Sequence, residues 1–277
     1  MLPSTTSLPV TDGIYHIEAW QRYPKLLHAI STRLSPDGAD WNLSTKRGTP
    51  QHPPDPAVAL ANRRKLAQRL DISLDNIVGC RQIHGTQVAL VTRADAGRGM
   101  YPHLPSIEGA DALLTCTPDL YLLALSADCP PVFFYDPARG AIGLAHSGWR
   151  GTIGRIAANV VEAMVDNFGS DPADIVAAIG PGIGPCCYSI GQNVLDAAKS
   201  AFALTPTSAP PILEEREGLT YFNLPQAIHQ TLCDAGIPEK NITVEPVCTA
   251  HNTNVFYSHR AEAGQCGLFG ALLGLHP

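Results

Sequence analysis

The sequence predicts a mixed α+β fold, and three patterns carry that reading. Four apolar runs, Asp111–Thr115, Tyr121–Ser126, Val132–Tyr135 and Ala141–His146, read as strands separated by only short breaks. Helical spacing follows directly after them, with Ile153, Ile156, Val160, Val161, Met164 and Val165 on one face of a segment from Gly151 to Phe168. Strict alternation of strand and helix, the mark of a doubly wound parallel sheet, is missing from that stretch.

Each element has a local reason. Ile14–Trp20 and Leu26–Thr32 carry the apolar and β-branched content of strands. Asp55 followed by Pro56 opens a helix that runs to Leu70, because Asp caps the first free N–H groups and Pro fits the first helical position. Asn76–Cys80 and Gln87–Thr92 read as strands before the central cluster. After the Gly151–Phe168 helix come a strand at Ile175–Ile179, a helix at Gln192–Ala203, a helix at Asn223–Ala235 capped by Asn223, and a strand at Ile242–Cys248. A short helix is expected to close the chain. Two stretches rich in turn-forming residues, Ser35–Pro56 and Leu204–Pro211, read as loops. Neither is long or charged enough to be an interdomain linker, so residues 1–277 are expected to form one domain.

Composition narrows the partners. The chain has 277 residues, 45% hydrophobic and 16% charged, which is globular rather than disordered. Its 19 basic and 25 acidic residues leave a net charge of −6, and no basic cluster points to nucleic acid. No apolar run approaches the roughly 18 residues of a membrane span. Met1–Val10 has neither the basic stretch nor the apolar core of a secretory signal. A cytoplasmic location is therefore expected, with the eight cysteines reduced. A small-molecule ligand fits best, with no nucleic acid and no membrane, on a monomer or homodimer.

Three segments bring metal-ligating side chains to strand ends. They are Gln82-Ile83-His84-Gly85, Ser126-Ala127-Asp128-Cys129-Pro130-Pro131 and Leu144-Ala145-His146-Ser147-Gly148-Trp149-Arg150-Gly151. Two imidazoles and one thiolate suit a tetrahedral zinc with one open position, as in catalytic sites. Cys129 and His146 alone would equally make a nucleophile–base pair, a reading that leaves His84 without a role. Arg150, at the start of a helix, suits recognition of a phosphate or carboxylate, and packing flat on Trp149 is the alternative. The loop Gly180-Pro181-Gly182-Ile183-Gly184-Pro185, leading into Cys186-Cys187-Tyr188, would bring backbone amides close to a ligand. It matches neither common nucleotide-binding glycine pattern.

Several of these segments together resemble the YfiH-like, or laccase-domain, family. The resemblance rests on His84-Gly85 with Val88, Asp111-Ala112-Leu113-Leu114-Thr115, Ala127-Asp128-Cys129-Pro130-Pro131, Ala145–Gly151 and Ile179–Tyr188. It extends to Ser31-Thr32-Arg33, Asn42-Leu43-Ser44, Asn62-Arg63 and Phe256-Tyr257-Ser258-His259-Arg260, and so covers essentially the whole chain. The chain departs from the family pattern at Leu34-Ser35, at Ser189 and at Arg260-Ala261 with Cys266-Gly267-Leu268. The resemblance implies an α/β/β/α layered fold, zinc bound by His84, Cys129 and His146, and phosphorolysis of purine nucleosides (adenosine, inosine, guanosine, methylthioadenosine). Adenosine deamination is implied as a second activity. Phosphate then calls for arginines, expected at Arg33, Arg63 and Arg150, with Cys187 at the ligand and Asp128 as a proton carrier. The family's older label of copper polyphenol oxidase is the alternative, since imidazole and thiolate also suit copper.

Overall fold

Burial on both faces explains why the central strands read as continuous apolar runs. In the computed structural model, which describes residues 8–202 and 210–277, every residue from Pro131 to Asp136 and from Ala141 to His146 is buried. The strands are β1 (Val10–Thr11), β2 (Ile14–Tyr15), β3 (Leu26–Ser31), β4 (Ile77–Arg81), β5 (Val88–Leu90), β6 (Ile107–Glu108), β7 (Ala112–Thr115), β8 (Tyr121–Ser126), β9 (Pro131–Asp136) and β10 (Ala141–His146). They continue as β11 (Val176–Ile179), β12 (Ser189–Ile190), β13 (Leu213–Arg216), β14 (Leu219–Phe222), β15 (Ile242–Val244) and β16 (Phe269–Leu275). The helices are α1 (Pro56–Arg69), α2 (Trp149–Ile153), α3 (Ile156–Phe168), α4 (Gln192–Ala201) and α5 (Leu224–Asp234).

Two mixed sheets form the centre. One has the order β1-β2-β3-β16-β8-β4-β6, the other β15-β11-β9-β10-β7-β5, and a small sheet β12-β14-β13 stands apart. Period-two alternation sends each strand's side chains into two different cores. Leu122 and Ala124 of β8 join Phe133, Tyr135, Ile142 and Leu144 in a core between the sheets. Tyr121 and Leu123 point the other way, onto Leu66 and Ala67 of α1. On the far side, Val132, Phe134 and Ala145 pack under Val160, Met164 and Ile228 of α3 and α5. The layers are therefore α/β/β/α, the arrangement the resemblance implies.

Local signals held where the cap chemistry was explicit. The Asp55 side chain accepts the N–H groups of Ala57 (2.7 Å) and Val58 (3.4 Å), and Asn223 accepts that of Gln226 (3.2 Å). Tertiary packing overrode the expectation elsewhere. Ile14–Trp20 is a strand only to Tyr15 and then a 3-10 turn at Glu18–Trp20, which delivers Trp20 edge-on to Phe133. The strand at Ile242 ends at Val244, where its parallel partner β11 also ends at Ile179; the Glu245 N–H still donates to Ile179 C=O. The helix expected from Gly151 to Phe168 is two helices, broken where Arg155 takes a left-handed φ of 63°. The expected C-terminal helix is instead strand β16, paired with both β3 and β8 at the heart of its sheet. Gly274 of that strand lies against the Tyr121 ring, where any Cβ would collide with it. Of the loop expected at Leu204–Pro211, residues 204–209 lie outside the described residues. The Ser35–Pro56 loop is observed; it walls a cavity of about 740 Å³ together with Arg33, Glu262 and Gln265.

His28 of β3 gives the fold an acid sensitivity. Burial, with the His16 charge beside it, pushes its imidazole down to about 4, and its Nδ1 has no partner among the described residues. The folded chain keeps His28 neutral, whereas the unfolded chain takes up a proton near pH 6.5. Its contribution is therefore complete above pH 6.5 and is lost as pH falls toward 4. Urea unfolding of wild type and His28→Leu at pH 7 and pH 5 is expected to show a smaller acid loss in the variant, by roughly 2 kcal/mol. Equal losses would mean that His28 does not stay neutral in the fold.

Candidate metal centre

Three strand ends converge. The turn after β4 carries His84, the turn after β8 carries Cys129, and His146 is the last residue of β10. The ligand atoms of the three side chains all lie within 4.8 Å of one another, and the two imidazole rings stand nearly perpendicular, 4.9 Å apart. His146 is buried, Cys129 half-buried and His84 exposed, so the cluster opens to solvent on one side.

Asp111, just before β7, organises this meeting. Its carboxylate accepts the backbone N–H groups of Ile83 (3.0 Å), His84 (3.0 Å) and Gly85 (2.7 Å), which fixes the His84 turn with φ at 60°. The same carboxylate lies 3.0 Å from Nδ1 of His146. That contact makes Nδ1 the donor and leaves Nε2 to serve as a ligand, the usual carboxylate–histidine–metal relay. The Gln82 side chain clamps the same turn to β8 through both the C=O and the N–H of Leu125, each at 2.8 Å. Gly148 completes the cradle. A Cβ there would sit 2.8 Å from the Cys129 sulfur and 3.3 Å from the His84 ring.

The electrostatics suit a thiolate. Burial by itself would raise the Cys129 thiol, but the His146 and His84 imidazoles outweigh it and hold the thiol down at about 6. Burial likewise opposes the charged form of His146, yet the Cys129 charge and the Asp111 hydrogen bond lift it to about 9. In Asp111, burial is outweighed by His146 and the backbone N–H groups, so its carboxyl lies below the usual range. With a metal ion taking the place of the His146 proton, two neutral imidazoles and a thiolate would form the donor set of an open zinc site, and these residues fit such an ion. The set also accommodates copper by ligand type.

The other expected site residues fall in different places. Asp128 is held in place through its carboxylate, which accepts the Thr249 hydroxyl and the Arg260 N–H, both at 2.6 Å. Arg63 sits inside α1, and its fork donates to the carbonyls of Leu43, Gly99 and Met100, bracing those loops. Arg33 donates to Thr253 C=O and to Glu262 while lying over the Tyr257 ring, at the cavity of the Ser35–Pro56 loop. The Cys187 N–H donates to Gly184 C=O, closing a turn, so it is not free for a ligand. Arg150 is exposed, with its guanidinium 4.3 Å over the Trp149 ring and no hydrogen-bond partner among the described residues. The guanidinium thus packs on Trp149, the alternative weighed from sequence, while its N–H donors make no hydrogen bond among the described residues. Burial pushes the Tyr188 hydroxyl up to about 12, with Cys129 adding to the shift and Arg260 and Arg150 opposing it. The Arg260 guanidinium lies over that ring, 5.2 Å from its centre.

Residues 36–276 match the family described as multi-copper polyphenol oxidoreductase laccase. The chain belongs to that family. Within the laccase family it is 36% identical over 249 residues to the purine nucleoside phosphorylase YlmD of Geobacillus stearothermophilus, covering 86% of this chain and 90% of that one. It is also 36% identical over 221 residues to a purine nucleoside phosphorylase of Deinococcus radiodurans (80% and 79% covered). A third relative, the adenosine deaminase RL5 of an unknown prokaryotic organism, is 33% identical over 199 residues (72% and 74% covered). The crystal structure of the Geobacillus stearothermophilus YlmD superposes with a TM-score of 0.87, covering 97% of this chain and 98% of that chain at 31% identity. The family's relatives carry enzyme names. Among the described residues no helix is long and apolar enough to cross a membrane.

Asp111, Gln82 and Gly148 were given no role by sequence reasoning. Asp111 and Gly148 stand inside the motifs that carry the resemblance, which was the available signal. A carboxylate at the start of an apolar strand does not reveal that its partners are three N–H groups some 26 to 28 positions earlier.

Proposed function

We propose that this protein is a zinc enzyme that phosphorolyses purine nucleosides (adenosine, inosine, guanosine and methylthioadenosine) to the free base and ribose 1-phosphate, and that it also deaminates adenosine. The observation that carries the reading is the convergence of His84, Cys129 and His146 beside the Asp111 carboxylate, with Arg150, four residues after His146 in the chain, making no hydrogen bond among the described residues. The relatives' names support the same substrate class. Substrates are then a nucleoside and inorganic phosphate, met in the cytoplasm.

In phosphorolysis a phosphate oxygen bonds to the anomeric carbon while the bond from that carbon to the purine nitrogen breaks and the base leaves with the electron pair. The guanidinium of Arg150 holds and orients the phosphate, its planar fork matching two oxygens. His84, Cys129 and His146 would hold the zinc, which supplies Lewis acidity and a lowered pKa for a water molecule. In deamination water replaces the amino group at the purine, releasing ammonia and consuming no phosphate.

The test is a panel of nucleosides with and without phosphate, reading free base and deaminated product, on wild type and Arg150→Lys. Lys keeps the charge but loses the fork. The variant is expected to retain its metal and to need roughly ten to a hundred times more phosphate for half-maximal phosphorolysis, while deamination changes little. Equal losses in both reactions would remove Arg150 from the phosphate and turn attention to Arg33. Metal analysis of protein expressed without added copper separates zinc from the copper implied by the family's description.

A further inference from the structure

A second group of soft ligands lies outside the His84–Cys129–His146 centre. The ligand atoms of Cys186, Cys187, Cys248 and His251 all lie within 4.8 Å of one another. Regular tetrahedral coordination with zinc–sulfur bonds of about 2.3 Å places ligand atoms about 3.8 Å apart along each edge, slightly less between sulfur and nitrogen. The Cys186 sulfur and Nδ1 of His251 are already 3.5 Å apart.

The backbone explains why these four meet. Two loops run side by side: Gly182 bridges to Cys248, the Gly182 N–H donates to Val247 C=O, and the Thr249 N–H donates to Gly182 C=O. Cys248-Thr249-Ala250-His251 is a ligand-x-x-ligand turn, closed by the His251 N–H on Cys248 C=O at 3.2 Å. The Gly184 N–H points at the Cys248 sulfur from 3.3 Å, which stabilises a thiolate there. Gly184 is also the residue that leaves room. A Cβ would lie 3.2 Å from the Cys186 sulfur and 3.3 Å from Cβ of Cys248.

We infer that Cys186, Cys187, Cys248 and His251 form a closed, four-ligand site for a zinc-like divalent ion, structural in role and separate from the open centre at His84, Cys129 and His146. Three thiolates and an imidazole leave no position for substrate, which is the signature of a structural rather than a catalytic ion. The ion would lock together two loops that border the proposed active site. Thr249 holds Asp128 next to Cys129, and Cys187 C=O accepts from Arg260. This inference does not depend on the reaction proposed above.

The experiment uses the full-length protein, purified without added metal or chelator. Metal content is measured for wild type, His84→Ala, Cys248→Ser and His251→Ala, and thiol alkylation is mapped by mass spectrometry. About two zinc ions per chain are expected in wild type, with one lost in His84→Ala and the other in either Cys248→Ser or His251→Ala. Cys186, Cys187 and Cys248 are expected to resist alkylation until a chelator is added, whereas the exposed Cys116 reacts at once. The mapping needs no variant, so a misfolded Cys248→Ser does not blunt the test. Alkylation of the three thiols as fast as Cys116 with metal retained at the other centre overturns the inference. So does full zinc retention in folded Cys248→Ser and His251→Ala, or recovery of a disulfide among the three cysteines in place of an ion.

Discussion

Cys129→Ser is expected to lose most of the metal from the His84–Cys129–His146 centre, and nucleoside turnover with it. A hydroxyl replaces the single charged soft ligand, and two imidazoles do not hold the ion alone. The loss of affinity exceeds the roughly 10–100-fold that removal of an outer-shell partner costs. Competition with a chelator of known affinity measures it, followed by metal analysis of the dialysed protein. A variant that keeps its full metal at this centre yet loses all turnover would make Cys129 a nucleophile paired with His146, the dyad that the sequence left open. His84→Ala separates the two readings further, because a dyad tolerates it and a three-ligand site does not.

Asp111→Asn is expected to weaken metal binding by about 10–100-fold and to lower the melting temperature of the metal-free protein as well. The carboxylate serves four donors at once: three backbone N–H groups of the His84 turn and Nδ1 of His146. An amide offers one acceptor and turns an NH2 toward groups that also donate, so at least one buried donor loses its partner, at about 1–3 kcal/mol. The His146 ring is then free to choose the wrong tautomer. The double readout matters, because a purely structural Asp111 would lower stability without changing the affinity of the folded protein for zinc. Unchanged affinity would reduce Asp111 to that role.

Much of the fold was legible because its signals are local. The Asp55–Pro56 cap and the Asn223 cap marked their helices, and β8 and β10 have the bounds their apolar runs suggested. The failures come where local preference and burial disagree. Phe269–Leu275 holds three Leu and an Ala, good helix formers, but the gap between β3 and β8 takes a strand buried on both faces. The break at Arg155 is likewise invisible to a periodicity that runs on through it.

By itself the sequence determined the kinds of chemistry present. Two imidazoles and a thiol stand at strand ends, arginine is at hand for an anion, and the motifs reach the family directly. It could not determine which donors are free. Arg33, Arg63 and Arg150 are the same residue type on paper, and only the tertiary structure engages the first two with carbonyls and a carboxylate and leaves the third open. The partners of Asp128, the Thr249 hydroxyl and the Arg260 N–H, likewise became visible only in the folded chain. The reason is physical: a side chain's chemistry is fixed by its covalent structure, but its availability depends on hydrogen bonds to residues 20 to 230 positions away, and those distances close only when the sheets pack.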